Sequence, residues 1–590
     1  MFGVTRIVNF AHGSLTMLGA YLAWSVFAWA PPRDPLLFAA GALAAALLVA
    51  ALGALLEIGL LRRLYRAPEL FQLLATFGVV LVAQDAVLWL WGAEERALPR
   101  PRWLRAAVTV LGERFPAYDL ALIAVGPAVL GLLWLLFRRT RWGVLVRAAT
   151  ENRDMVAALG VDQRWLFTGV FALGAGLAGL GGALGLPGGS AHQGLDLAVV
   201  TDAFVVVVVG GLGSVPGAYL AAVLVAEMQA FGLVLFPQAT LVLVFAVMAA
   251  VLVVRPQGLL GRAEEGEAVL PGAVPLIRPA PRPARVAGAL LLLAAALAPL
   301  VAGPYALSVL TEALVAVLFA ASLHALMGPG GMPSFGHAAW FGLGAYAAGL
   351  AARDLGAPMP AGLAAGPALA GLAALAAGLV LVRLSGIALA MLTLALAQMV
   401  WAVATQATGL TGGDDGVLGV WPPGWARGAG FYWVALALCV GGAMALRRVL
   451  YAPLGYALRA GRDSPARAEA VGLDLARLRL ALFALAGAAA GLAGAVFAYA
   501  KGSVFPGYAA VPRSVDALLM VLLGGVHAMS GPVVGALAYT GLYDGLLATV
   551  RLWRLALGLA VILLVLSFPE GLAGAALRLW RWRGPRARPA

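Results

Sequence analysis

A chain of 590 residues in which 63% are hydrophobic and only 11% are charged is not a soluble globular protein, where about 25% of residues carry charge. Its net charge of +13 does not indicate nucleic-acid binding, because the arginines stand in short polar segments between long apolar runs, as in the inner loops of a membrane protein. The single cysteine, Cys439, excludes an intrachain disulfide and a cysteine-based metal cluster.

Solid apolar runs of roughly 18 to 24 residues recur along the chain, each long enough to cross a hydrocarbon core about 30 Å thick. They lack the alternation of β-barrel strands, so they predict an all-α polytopic membrane protein. Clusters of arginine predict which loops lie on the cytoplasmic side of the membrane. Counting the crossings between these clusters places the charged segment at about 92–118 on the outer side. The crossings predicted in the first half are about 13–30, 36–61, 70–91, 119–137, 165–187, 195–212, 217–235 and 239–254.

A change of composition divides the chain into two membrane domains. Residues 261–285 are rich in proline and charge, which predicts a semi-rigid cytoplasmic linker between a first domain at 1–260 and a second at 286–574. The tail at 575–590 interleaves tryptophan with arginine and is predicted to lie at the cytoplasmic headgroups. With the crossings of the second domain, roughly eighteen transmembrane helices are predicted. Those crossings are about 286–302, 305–327, 337–352, 361–382, 386–408, 430–446, 478–500, 514–528, 531–550 and 555–568.

A polar, arginine-rich segment of about twenty residues occurs once in each domain. Gly143, Arg147, Gly160 and Asp162 of the first copy recur as Gly455, Arg459, Gly472 and Asp474, each pair separated by the same 312 residues. A hydrophilic hairpin that returns at the same place in both halves favours docking on a soluble partner over a merely solvated loop. We therefore interpret each copy as a cytoplasmic hairpin on one half of a duplicated protein.

Other matched positions extend the repeat. His12 corresponds to His337, and Asp202 corresponds to Asp516. The order of the matches is kept and both hairpins are predicted inside, so the repeat is parallel rather than inverted. Two apolar runs precede His337, whereas only 1–8 precede the first motif, so the repeat predicts that the first half lacks one N-terminal helix.

The residues offer little chemistry of their own. A phosphate-binding loop needs Gly-Lys-Ser/Thr, but the single lysine, Lys501, is followed by glycine, which excludes ATP hydrolysis by that motif. No nucleophile–base pair, metal site or cofactor is predicted. Ionisable groups at membrane depth indicate either a pathway or proton relay, or caps of helix ends, and both interpretations stay open. The four residues concerned are His12, His337, Asp202 and Asp516.

Two sets of motifs carry a family resemblance. The first is Asn9-Phe-Ala-His-Gly13, the hairpin Gly143 to Gly160, and Gly210-Gly-Leu-Gly-Ser-Val-Pro-Gly217. The second is Gly336-His-Ala-Ala-Trp-Phe-Gly-Leu-Gly-Ala-Tyr346, Glu469-Ala-Val-Gly472 and Pro569-Glu-Gly-Leu572. They resemble the two partner permease subunits of branched-chain amino-acid ABC importers, here joined in one polypeptide. The resemblance covers nearly the whole chain apart from the linker and tail.

The resemblance implies a multi-pass protein of the bacterial cytoplasmic (inner) membrane. It implies that two separate cytoplasmic ABC ATPase subunits hydrolyse ATP and that a periplasmic substrate-binding protein delivers branched-chain amino acids. It also implies that the chain is not itself an enzyme. The coupling residues that it implies are Arg147, Glu151, Gly160, Arg459, Glu469, Ala470 and Gly472. The first copy departs from the family's Glu-Ala-Ala pattern, since Met155-Val-Ala-Ala-Leu-Gly160 stands there.

Two other functions compete with this one. Related permeases carry urea or short amides, so these are rival substrates. An ion-coupled secondary carrier could use the intramembrane histidines and aspartates for protons, although two docking hairpins would have no role in it.

Overall fold

The computed structural model describes residues 9–65, 67, 69–110, 112–261, 282–568 and 570–576. Most of the predicted linker at 261–285, and almost all of the predicted tail at 575–590, lie outside these residues. The same holds for 1–8, so the predicted absence of a first helix also falls outside them.

The first half is a series of helices with short loops. They are α1 (Ala11–Trp29), α2 (Pro35–Leu56), α3 (Glu69–Trp91), α4 (Ala117–Arg139), α5 (Arg141–Glu151), α6 (Arg153–Ala158), α7 (Gln163–Gly185), α8 (Leu195–Gly210), α9 (Val215–Leu235) and α10 (Thr240–Val254). Four short strands accompany them: β1 (Arg96–Ala97), β2 (Ala107–Val110), β3 (Glu113–Pro116) and β4 (Ser190–Ala191). Strand β1 pairs antiparallel with β4, and β2 pairs with β3.

The second half repeats this order and, compared with the described residues of the first half, begins with two further helices. Its helices are α11 (Arg282–Leu297), α12 (Pro304–Met327), α13 (Ala338–Asp354), α14 (Met359–Leu381), α15 (Gly386–Gln406), α16 (Ala429–Tyr451), α17 (Pro453–Asp463), α18 (Pro465–Ala470), α19 (Leu475–Lys501), α20 (Val511–Gly524), α21 (Gly531–Thr549) and α22 (Trp553–Ser567). Strands β5 (Val417–Leu418) and β6 (Ser503–Val504) pair as β1 and β4 do in the first half.

The predicted all-α polytopic class is confirmed. Each predicted apolar run is helical, although several helices differ from the predicted bounds by a few residues. Within the described residues, 10 helices are long and apolar enough to cross a membrane by length and composition, and three further apolar helices are shorter. The chain is therefore a multi-pass membrane protein.

Local sequence explains where several helices begin and end. Asp34 accepts a hydrogen bond from the backbone of Leu37 at 2.8 Å, and Pro35 stands at the first position of α2, where its missing N–H costs nothing. Gly211 and Gly525, which end α8 and α20, have φ angles of +101° and +106°, a backbone conformation that side-chain-bearing residues rarely adopt.

Small residues bring the helices of each half into backbone contact. A Cβ atom at Gly344 of α13 would lie 2.1 Å from the carbonyl oxygen of Gly491 in α19. In the first half, a Cβ atom at Gly19 of α1 would lie 2.4 Å from the Cα atom of Gly179 in α7. Small residues therefore form packing faces in both halves, and the repeat extends to individual contacts.

The helices form two compact units, which do not coincide with the two halves of the chain. Unit 1 contains the described residues within Met1–Leu224, Gln257–Ala263 and Leu546–Pro569, and unit 2 contains those within Val225–Pro256, Glu264–Gly545 and Glu570–Ala590. Each unit thus includes the last helix of the opposite half: α22 packs on α3 in unit 1, and α10 packs on α15 in unit 2. The predicted domains 1–260 and 286–574 describe chain order, and their bounds stay a prediction.

Candidate functional site

The two polar hairpins have the same architecture. In the first, α5 and α6 are joined at Asn152, whose side chain accepts a hydrogen bond from the backbone of Met155 at 2.9 Å. In the second, α17 and α18 are joined at Ser464. The short second helix of each hairpin ends at a glycine with positive φ, +81° at Gly160 and +89° at Gly472. The predicted glycines thus have a defined role, which is to turn the chain back toward the next long helix.

Each hairpin has a buried inner face that fixes it to its own unit. In the first hairpin, Val146 and Val156 pack with Phe167 of α7. In the second, Leu458 and Ala468 are buried. Because apolar side chains hold both short helices, each hairpin is a packed element rather than a solvated loop.

The outer face of each hairpin presents an apolar side chain among polar ones. Leu159 is 76% exposed, and Val471, which occupies the same position of the repeat, is 77% exposed. Each immediately precedes the positive-φ glycine. The sequence prediction missed these two residues. The available signal was an apolar residue directly before a repeated glycine in an otherwise polar segment. A matched pair of exposed apolar residues on a rigid support is typical of a binding surface.

Six of the seven predicted coupling residues lie on this exposed surface, namely Arg147, Glu151, Gly160, Glu469, Ala470 and Gly472. Arg459 does not. Its guanidinium is half-buried, donates to the carbonyl oxygens of Gly455 and Leu450, and stacks over the ring of Tyr456 at 4.4 Å. Burial lowers the pKa of Arg459. These contacts hold the start of α17 against the end of α16.

The two histidines at matched positions have different surroundings. His337 is fully buried, with its Nε2 atom 2.7 Å from the hydroxyl of Ser322 and its ring stacked on Phe319, both in α12. His12 is half-buried, and the Nδ1 atoms of both rings have no hydrogen-bond partner among the described residues. The contacts of His337 with Ser322 and Phe319 come from α12, which has no counterpart among the described residues of the first half.

The two aspartates do not cap helices, since Asp202 lies inside α8 and Asp516 lies inside α20. Asp516 accepts a hydrogen bond from the hydroxyl of Tyr539 at 2.6 Å, and Arg513 lies 4.0 Å from its carboxylate. The structure therefore does not bring the two histidines and Asp516 into one described hydrogen-bond chain. A pathway role for His12, His337, Asp202 and Asp516 stays a prediction.

Unit 1 also contains three buried acids that the sequence analysis did not single out. Asp196 accepts hydrogen bonds from Gln84 at 3.0 Å and from Ser14 at 3.4 Å, joining α8, α3 and α1. Asp85 accepts a hydrogen bond from the backbone of Leu555 at 2.9 Å, at the first turn of α22. An acid inside a predicted apolar run was the signal, because such a group needs a partner.

The third acid, Glu57, lies in a π-helical turn at the end of α2 and is fully buried. It accepts hydrogen bonds from Tyr65 at 2.8 Å and from Arg62 at 3.2 Å, and also from the hydroxyl of Thr168 in α7. Tyr65 also contacts Phe167 edge-to-face, and Phe167 packs under the first hairpin. This network therefore supports the base of that hairpin.

Comparison with known proteins decides the family. A family model described as "Branched-chain amino acid transport system / permease component" matches residues 1–252 and again residues 305–566. The chain belongs to this permease family. Because the model matches twice, the chain is a fused pair of permease subunits, as the repeat predicts.

Curated relatives of the fused permease agree with this. The high-affinity branched-chain amino acid permease protein BraD of Pseudomonas aeruginosa is 29% identical over 273 residues, which are 45% of this chain and 89% of BraD. LivH of Escherichia coli K12 is 29% identical over 277 residues, again 45% of this chain and 89% of the relative. LivM of the same organism is 30% identical over 141 residues, 24% of this chain and 33% of LivM. No solved structure matches.

Proposed function

We propose that this fused permease supplies both membrane halves of an ATP-driven importer of branched-chain amino acids in the bacterial cytoplasmic membrane. Two separate ABC ATPase subunits dock on the two hairpins from the cytoplasm. A periplasmic binding protein selects the amino acid and delivers it. The observation that carries the proposal is the repeated hairpin, with Leu159 and Val471 exposed at one and the same position of the repeat.

The hairpins suit docking for three physical reasons. Their inner faces are packed, so a partner that binds the outer face pulls on the long helices rather than on a loose loop. Exposed Leu159 and Val471 provide an apolar centre, which stabilises an interface more than a charged rim does. Glu151 and Glu469 are exposed on the same two hairpins and offer a charge that fixes the orientation of a basic partner surface.

The energy for uphill transport comes from the partners. ATP binding brings the ATPase pair together, and the docked hairpins follow it. A ligand shifts a conformational equilibrium only by as much as its affinity differs between the two states, so the hairpin contacts have to be stronger in one state than in the other. Close backbone packing at Gly19, Gly344 and their partner glycines transmits the displacement, because tightly packed helices move as bodies.

The test is Glu469→Arg in the second hairpin, with Asp415→Arg as the matched control. Both replace an exposed acid by a base, but Asp415 lies on the loop before β5, away from the hairpins. Glu469→Arg is expected to abolish co-purification of the ATPases and ATP-driven uptake of leucine while membrane insertion stays normal. The control is expected to retain both. Retained uptake in Glu469→Arg would contradict docking at this hairpin.

Two further measurements separate the competing functions. Calorimetric binding of leucine, urea and acetamide to the periplasmic partner identifies the substrate class. Uptake by the permease alone, in vesicles with a proton gradient and no ATPase, tests the ion-coupled carrier. The importer predicts no accumulation in that experiment.

A further inference from the structure

Three elements of unit 2 meet beside the second hairpin. They are the last residues of α17, the C-terminal end of α12, and the loop that connects α20 to α21. All three belong to the second half of the chain. The glycine break at Gly525, which ends α20, lies in this loop.

A chain of hydrogen bonds joins the three elements. Arg462 of α17 donates from Nη1 to the carbonyl oxygen of Gly328, the residue that follows α12, at 2.7 Å. One turn earlier in α12, the Nε2 atom of His324 lies 2.8 Å from the carbonyl oxygen of Val526. Because a carbonyl oxygen only accepts, this nitrogen carries the proton. Val526 directly follows the glycine break, so two hydrogen bonds connect the hairpin to the end of α20.

The same elements are in van der Waals contact. A Cβ atom at Gly328 would lie 2.7 Å from the carbonyl oxygen of Val526. A Cβ atom at Gly331, whose φ is +64°, would lie 2.5 Å from Cγ of Arg462. Asp463 accepts two further hydrogen bonds from the Arg462 guanidinium, at 2.9 and 2.8 Å, and so fixes its orientation. With no free space between these groups, a displacement of α17 has to move the end of α12.

The charge of Arg462 also reaches the loop that follows α20. His527 follows Val526 in the loop, and its pKa is lowered first by burial and then by the charge of Arg462. The Arg462 charge therefore acts on the loop as well as on α12.

The first hairpin carries a different side chain at this position. Thr150 stands at the position that corresponds to Arg462, and its hydroxyl donates to the carbonyl oxygen of Val146 in its own helix at 2.8 Å. This position of the first hairpin therefore offers no charge, and it serves as a matched control for Arg462.

We propose that Arg462 is a positioning residue that passes the movement of the second hairpin, through the end of α12 and His324, to the glycine break of α20. This rests on the docking proposed above. The hairpin moves with its ATPase, Arg462 displaces Gly328, and His324 carries the displacement to Val526.

The experiment uses the full chain reconstituted with its ATPases and binding protein in liposomes, and it measures leucine uptake and phosphate release together. Arg462→Met removes the donor and the charge but keeps the length of the side chain. Arg462→Met is expected to leave ATPase co-purification and phosphate release unchanged. Leucine uptake per ATP hydrolysed is expected to fall about tenfold or more, the effect of losing a hydrogen bond made by a charged group. Arg462→Lys keeps a donor and is expected to restore most of the ratio. Thr150→Val is the matched control in the first hairpin and is expected to have the wild-type ratio.

Each other outcome decides against a defined part of the proposal. A wild-type ratio in Arg462→Met overturns the transmission role. Loss of ATPase co-purification in Arg462→Met also overturns the transmission role, because Arg462 would then be a docking residue. The proposed importer function would remain in that case. An equal loss in Thr150→Val would contradict the proposal as well, because the loss would then not depend on the contacts that Arg462 makes with Gly328. ATPase co-purification that survives Glu469→Arg would instead contradict the proposed function itself. His324→Gln, which keeps a donor near Val526, is expected to retain transport where His324→Leu does not.

Discussion

The backbone contact between α13 and α19 makes a strong prediction for Gly344→Ala. The new methyl group would lie 2.1 Å from the carbonyl oxygen of Gly491 and 2.3 Å from its Cα atom, whereas ordinary contact begins near 3.4 Å. The two helices therefore have to separate locally by about 1.3 Å, because backbone atoms cannot rotate away as a side chain can. A gap of that size forfeits a quarter to a half or more of the dispersion energy of each atom pair across the interface.

The expected loss of stability follows from two opposed effects. Overpacking costs about 1–3 kcal/mol, and a backbone clash places Gly344→Ala at the upper end. Alanine is a better helix former than glycine by about 1 kcal/mol. The net destabilisation is therefore about 2 kcal/mol. Gly19→Ala, at the matched crossing of α1 with α7, is expected to behave alike.

Thermal unfolding in detergent, followed by size-exclusion chromatography, measures the effect. Gly441→Ala is the control, because its Cβ atom would meet nothing within 4 Å on α16 and only the gain in helix preference remains. The unfolding midpoint is expected to fall in Gly344→Ala and to stay level or rise in Gly441→Ala. A midpoint of Gly344→Ala at or above that of the wild type would refute the reasoning from close backbone contact.

Two predictions concern the exchange of terminal helices. A protease site inserted between 262 and 281 allows the chain to be cut into two fragments. The fragments are expected to stay together on a size-exclusion column in mild detergent, because α22 of one fragment packs on α3 of the other. Fragments that separate at once would contradict this packing. Asp85→Ala leaves the first-turn backbone N–H of Leu555 without its acceptor and should cost about 1–3 kcal/mol. The cleaved variant should then dissociate at a lower temperature than the cleaved wild type, while Asp415→Ala should not change that temperature.

Much of the fold was accessible from the sequence because it depends on local patterns. Runs of apolar residues specify membrane helices whatever their neighbours are. The positive-φ glycines Gly160 and Gly472 were visible because a repeated glycine in a polar segment indicates a turn. The small-residue faces were visible for the same reason, since close helix crossings require glycine or alanine at fixed spacing.

The parts that could not be predicted depend on pairs distant in the chain. Asp85 and its partner Leu555 are 470 residues apart, and no pattern in either segment indicates the other. His12 and His337 are equivalent in sequence, yet only His337 has its ring enclosed by α12. Arg459, which the motif places with the coupling residues, folds back onto its own hairpin because Tyr456 and nearby carbonyl oxygens lie within reach.

The position of α22 in unit 1 has a consequence for biosynthesis. A ribosome makes α3 early and α22 last, so unit 1 lacks one of its helices until nearly the whole polypeptide has been translated. During that interval Asp85, an acid inside an apolar helix, lacks the N–H of Leu555, and a polar group without its partner is unfavourable in an apolar medium. A nascent chain that ends before α22 therefore leaves this acid unpaired with Leu555, and synthesis of α22 supplies the partner.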